Sequence, residues 1–215
     1  MMKMSMRTAV LALSLLLPCV WSCGGDAGDA HAATPAQRPV AAAPAPVPGM
    51  HVDSILPPEE EERRFREGLA EPGGLERGAA SRQALVRGFV RAVERADTAA
   101  VRRMIVSRAE FAYLYYPSTE FTHPPRRMSP ALLWFLTMQE SEKGIGRLFA
   151  RRAGKPLGYI SSRCAPEPRV EGANRLWDRC TVTVRTDGGT KEERLFSTII
   201  ERDGRFKFVS YQNEY

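Results

Sequence analysis

Asp178, His123 and six tyrosines carry the side chains of this chain suited to moving a proton. Carboxylates and imidazoles serve as general bases, and tyrosine hydroxyls donate hydrogen bonds to developing charge. Asp178 stands in LWDRCTVTV, a run of alternating character, and can share a face with Cys180. Tyr113, Tyr115, Tyr116, Tyr159 and Tyr211 are the candidate donors. Two readings stay open for each. Asp178 either faces a pocket or pairs with an arginine, and the tyrosines either serve chemistry or pack with their hydroxyls at a rim. His123, the one histidine after residue 51, sits in the loop sequence HPP as a general base or an exposed loop residue. It has no second ligand at metal spacing, so neither metal nor cofactor is expected. Nucleophile elbows, HExxH, Walker loops and GxGxxG are absent.

Four cysteines raise a different chemistry: Cys19, Cys23, Cys164 and Cys180. MMKMSMR is a short basic start and TAVLALSLLLP an apolar run, the two regions of a secretory signal. That run is shorter than the roughly 20 apolar residues of a membrane-spanning helix. The VWSC that follows resembles the lipobox of bacterial lipoproteins. Val20 is the aliphatic residue three before the cysteine and Ser22 the small residue before it, while Trp21 departs from the pattern. The resemblance implies that Cys23 is diacylglyceryl-modified and anchors the chain in a membrane. Gly24 after it points to the periplasmic side of the outer membrane. Ordinary secretion with cleavage after Ala32 and an uncleaved leader are the alternatives. With Cys19 cleaved off and Cys23 acylated, Cys164 and Cys180 remain as a pair. They are either a disulfide or two buried thiols. A disulfide closing that loop is worth about 3 kcal/mol in the chain-entropy model.

Composition, 43% hydrophobic and 26% charged, is that of a soluble globular protein. Net charge is +6, and Lys3 and Arg7 fall in the leader. So small and scattered a surplus excludes a nucleic-acid footprint. The chain divides into a signal peptide at 1–22, a tether at 23–50, a short helix with linker at 51–80, and the main domain at 81–215. The tether, with AATPAQRPVAAAPAPVPG, has nothing bulky to bury and reads as disordered.

The remaining elements must position the candidate residues. Pro57-Pro58 opens a helix within 51–70, acidic first and basic last, with Phe65 and Leu69 on one edge. That edge packs on the main domain or docks a partner. EPGGLERG reads as a linker. Ser81 caps a helix with Leu85, Val86, Phe89, Val90, Val93 and Ala96 in one stripe. Asp97 caps a second, carrying Val101, Met104 and Ile105. Ser107-x-x-Glu110 is a capping box, which favours helix over strand for FAYLYY. Pro117 stops it, and STEFTHPPRRM is a loop. Ser129-Pro130 opens a long helix with Trp134, Met138, Ser141, Ile145 and Leu148 in a stripe. Gly144 and Gly146 are expected to kink or break it, and Gly154 to end it. PLGYISSRC, LWDRCTVTV, EERLFSTIIER and RFKFVSYQNEY read as strands, with turns at Asp187-Gly188-Gly189 and Asp203-Gly204. Helices followed by three or four antiparallel strands make an α+β fold.

Over about residues 81 to 215 this order resembles the nuclear transport factor two-like, or cystatin-like cone, superfamily. The resemblance rests on the opening helix ending in Asp97, the helical middle and the final GRFKFVSY. It implies a curved sheet wrapped around a long helix with a hollow at the wide end. The superfamily includes isomerases, dehydratases, polyketide cyclases and non-catalytic binding modules. Its enzymes pair a pocket carboxylate with a tyrosine or second acid. The expected role is therefore a membrane-tethered envelope module, not an enzyme, that binds a small apolar ligand or an envelope protein. The rivals are an isomerase- or dehydratase-like enzyme using Asp178 with Tyr113 or Tyr159, and a structural envelope protein.

Overall fold

Side-chain caps set where the helices begin. The computed structural model describes residues 56–215, so the leader, Cys23, the tether, His31 and His51 lie outside the described residues. Helix α1 (Pro58–Arg66) opens on Pro57 with Glu59, Glu60 and Glu61 in its first turn and Arg63, Arg64 and Arg66 in its last. Ser81 accepts from the Ala84 amide at 3.0 Å and opens α2 (Arg82–Glu94). Asp97 accepts from the Ala100 amide at 2.8 Å and opens α3 (Thr98–Met104). At α4 (Arg108–Glu110) the capping box is complete. Ser107 Oγ accepts from the Glu110 amide, and the Glu110 carboxylate accepts from the Ser107 amide at 2.6 Å. FAYLYY is accordingly helical: the chain widens into a π turn over Phe111–Tyr115 and tightens over Tyr116–Ser118, which carries Pro117.

Helix α5 (Pro130–Arg152) starts from the Ser129 cap and runs unbroken through Gly144 and Gly146. The expected kink is absent because Gly144 answers a different need. The Tyr211 carbonyl oxygen lies 2.0 Å from where a Cβ would stand, so only glycine lets that backbone cross the helix. Gly154, at φ 75°, follows the last helical turn.

Among the described residues seven strands form two antiparallel sheets, neither closed into a barrel. They are β1 (Tyr159–Arg163), β2 (Arg169–Glu171), β3 (Asn174–Trp177), β4 (Thr181–Thr186), β5 (Gly189–Glu193), β6 (Ile199–Arg202) and β7 (Arg205–Phe208). The orders are β1-β4-β5 and β2-β3-β6-β7. The fold is α+β, with more and shorter strands than the sequence reading. LWDRCTVTV is two strands because Arg179 takes φ 51° and turns the chain from one sheet into the other. EERLFSTIIER is also two: β5 ends at Glu193 in one sheet, β6 begins at Ile199 in the other, and the fully buried Leu195 and Phe196 lie in the connection. Asp203 and Gly204, at φ 50° and 67°, make the tight β6–β7 hairpin that their types call for.

The four-stranded sheet is covered on both faces. Trp177, Ile199 and Phe208 meet Phe89 of α2 and Phe196 on one face. Leu176, Ile200 and Val209 meet Leu75, Val106 and Leu114 on the other. Ala96, placed in the α2 stripe by spacing, instead ends the helix at φ 54° and is exposed. Helix α1 packs through Phe65 against Phe111 and Leu133. The segment read as a linker buries Leu75 and bridges Ala79 to Phe206. A Cys164–Cys180 disulfide ties the end of β1 to the start of its partner β4.

Candidate ligand-binding groove

Helices α3 and α5 do not match in length. At about 1.5 Å per residue α5 is roughly 35 Å long and α3 roughly 10 Å. The short helix leaves part of the α5 stripe without a protein partner. The result is a groove of about 220 Å³ whose apolar lining includes Val101, Ile105, Met138, Ile145, Phe149 and Tyr211.

Its floor holds no free hydrogen-bonding group from the buried side chains. Tyr211, 3% exposed, donates its hydroxyl to the Val101 carbonyl at 2.7 Å. Burial pushes that hydroxyl well above its ordinary pKa, so it stays neutral. Ser141 donates to Ser210 Oγ at 3.1 Å and accepts from the Tyr211 amide at 3.0 Å. Contact and shape are what this floor offers a ligand, with Thr98, Arg102 and Glu142 as polar groups at the edge. Elsewhere the interior is filled: Phe89, Phe196, Phe208 and Tyr211 stack and tilt against one another at centroid distances of 4.6–5.8 Å.

The residues singled out for proton chemistry are not brought together in the groove. Asp178 lies in the break between β3 and β4, where Oδ1 accepts from the Thr198 hydroxyl at 2.7 Å and Oδ2 from Arg169 at 3.4 Å. Tyr113 donates to the Leu69 carbonyl at 3.3 Å. Tyr159 shares a hydrogen bond with Ser162 at 3.3 Å. His123 is exposed in the loop before α5. Tyr115 is the tyrosine that shares surroundings with Asp178. Burial raises its hydroxyl pKa, Arg169 opposes that rise and Asp178 adds to it. Among the described residues no three His, Cys, Asp or Glu side chains are placed to hold a metal ion.

The groove residues were partly legible: Met138, Ser141 and Ile145 in the α5 stripe, Val101 and Ile105 on α3. Phe149 and the use of Tyr211 as a floor were missed, since Tyr211 read as part of the last strand. That strand ends at Phe208, and the chain then crosses α5 at Gly144. Leu132, Phe135 and Leu136, on successive turns of α5, leave an apolar edge outside the groove, Phe135 being 58% exposed.

The chain matches no protein-family model, no curated protein and no solved structure. No described helix is long and apolar enough to cross a membrane.

Proposed function

We propose that this chain is an exported, lipid-anchored binding module of the cell envelope that holds a small apolar ligand between α3 and α5. The observation that carries the reading is the groove: apolar walls over a floor whose polar groups already satisfy one another. The VWSC stretch after an apolar run supports Cys23 as the lipid attachment point, on the periplasmic side of an outer membrane. A soluble exported form is the alternative. The Cys164–Cys180 disulfide suits an oxidising compartment. The order of helices followed by antiparallel strands supports kinship with the nuclear transport factor two-like cone. The enzyme reading, with Asp178 and a tyrosine in a pocket, has less support, because both Asp178 oxygens are engaged by Thr198 and Arg169.

An apolar cavity of about 150 Å³ takes up benzene, so this groove suits one chain or ring of roughly eight carbons. At about 0.8 kcal/mol per methylene, burying an octyl chain contributes about 6 kcal/mol, a Kd on the order of 10–100 μM. The test is titration of 1-octanol into the full chain, followed by NMR. Gly146 lines the groove and an added Cβ there meets nothing within 4 Å. Gly146→Leu should fill the space and weaken octanol binding by about tenfold or more without lowering Tm. Octanol binding untouched by Gly146→Leu sinks the reading. A second reading, docking of an envelope protein, rests on the exposed Leu132, Phe135 and Leu136 edge. Phe135→Glu separates the two, since it changes that edge and leaves the groove lining intact.

A further inference from the structure

We infer that the ligand of this groove is a single-chain anionic amphiphile, its tail between α3 and α5 and its acidic head at a basic recess at the end of α3. The inference rests on the groove reading above and specifies the ligand's charge. Arg102 and Ile105 line the apolar groove and also a second recess of about 270 Å³. The two spaces therefore share a wall, one apolar and the other basic.

Four cations line the recess: Arg77, Arg102, Arg103 and Lys207. Lys207 is neutralised by Glu110, both of whose oxygens it reaches at 2.8 Å. Among the described residues Arg77, Arg102 and Arg103 stand in no ion pair, although fourteen such pairs form outside the recess. Glu76 is the one other acidic side chain in the lining, so two positive charges remain in excess. Arg77 sits at φ 55°, a region that residues with a side chain seldom occupy, and its neighbour Glu76 is fixed by its backbone amide, which donates to the Glu110 carboxylate at 2.7 Å. Guanidinium groups at the mouth of an apolar groove match a carboxylate, sulfate or phosphate head. Glu142 lines the groove from α5 and repels such a head, which directs it to the α3 end.

Octanoate and 1-octanol share a tail and differ in charge, so their titration into the full chain at pH 7 separates the claims. Octanoate should bind about tenfold more tightly at low salt, as one charge-assisted contact allows. Arg77→Gln with Arg103→Gln, which line the recess and not the groove, should remove that preference and leave octanol binding unchanged. Added salt should weaken octanoate and not octanol, and Glu142→Gln should strengthen octanoate more than octanol. Equal affinity for both ligands, with octanol still blocked by Gly146→Leu, overturns the anionic head and leaves the groove reading standing. Binding of neither overturns both. Arginine-dependent capture on phosphatidylglycerol vesicles without octanoate binding overturns the inference in favour of a membrane surface.

Discussion

Lys207 is the residue whose removal tests the core most directly. It lies on β7, faces the second hydrophobic layer and is 6% exposed at its side chain, against 1% for Glu110. Its ammonium donates to both Glu110 oxygens at 2.8 Å. The same carboxylate accepts from the backbone amides of Ser107 at 2.6 Å and Glu76 at 2.7 Å. Breaking a buried pair by truncating one partner costs about 3–5 kcal/mol. Lys207→Met keeps most of the side-chain volume, and the carboxylate keeps two amide donors. The expected loss is therefore at the low end, about 3 kcal/mol. Glu110→Gln should cost more, about 4–5 kcal/mol. Its NH2 group must face one of the two amides, which loses its acceptor while the ammonium loses its counter-charge. The double variant leaves no lone buried charge, so its cost should fall short of the sum by at least about 1.5 kcal/mol. Urea unfolding followed by circular dichroism, with m-values compared across the four proteins, measures all three. A Lys207→Met cost below about 1 kcal/mol, or strict additivity, would refute the claim that these charges are desolvated and coupled.

Gly144→Ala should destabilise the fold by about 2–3 kcal/mol, since its Cβ would overlap the Tyr211 carbonyl, whereas Gly146→Ala should stabilise it by about 0.5–1 kcal/mol; equal Tm values for the two variants in thermal unfolding would refute this. Burial pushes the Glu193 carboxyl up, but the Tyr215 hydroxyl at 2.5 Å, Arg152 and Lys191 outweigh it and hold its pKa below the ordinary value. A carboxylate held low in the folded state stabilises fully above its unfolded pKa, and that contribution is lost as pH falls through the folded value. The Tm advantage of wild type over Glu193→Gln should thus shrink between about pH 6 and pH 3, and a constant difference would count against it. Cys23→Ser should release the chain from the membrane fraction or leave its leader uncleaved. Cys164→Ser should keep it membrane-bound while costing about 3 kcal/mol of stability. A normally processed, membrane-bound Cys23→Ser protein overturns the anchor.

Local chemistry made the helices readable. Ser81, Asp97, Ser107 and Ser129 each place a side-chain oxygen on an amide three residues on, and each starts a helix where its type and spacing foretell. The hairpin at Asp203-Gly204 is equally local. The strands failed where tertiary forces act. Alternation along LWDRCTVTV does mark Leu176, Cys180, Val182 and Val184 as buried. It says nothing of the left-handed Arg179 between them, which hands the chain to a second sheet. Asp178 reads as pocket-facing only if that run is one strand. Once the run breaks, the carboxylate turns to Thr198 and Arg169, the arginine pairing that stood beside the pocket reading. Ile199 and Ile200 are both fully buried because β6 is covered on two faces, and no alternating pattern describes such a strand.

The groove was hidden for a related reason. A stripe at helical spacing says that a face is apolar, not how much of it a neighbour will cover. Met138 and Ile145 belong to the same stripe as the fully buried Leu148, yet they face α3 across an open groove. The signal that could have located it is the pair of glycines. Glycine inside a helix costs about 1 kcal/mol relative to alanine, so two in three residues call for a cause. A kink would be one cause serving both. The structure assigns them different ones. Gly144 lets the Tyr211 backbone pass against α5, while Gly146 has open space beside it and lies on the groove wall. The crossing at Gly144 also brings the Tyr211 ring beneath Val101 of α3, where it becomes the floor. One glycine thus builds the base of the groove and the other keeps its wall clear, which is why Gly146→Leu should weaken binding in a fold that Gly144→Ala would disrupt.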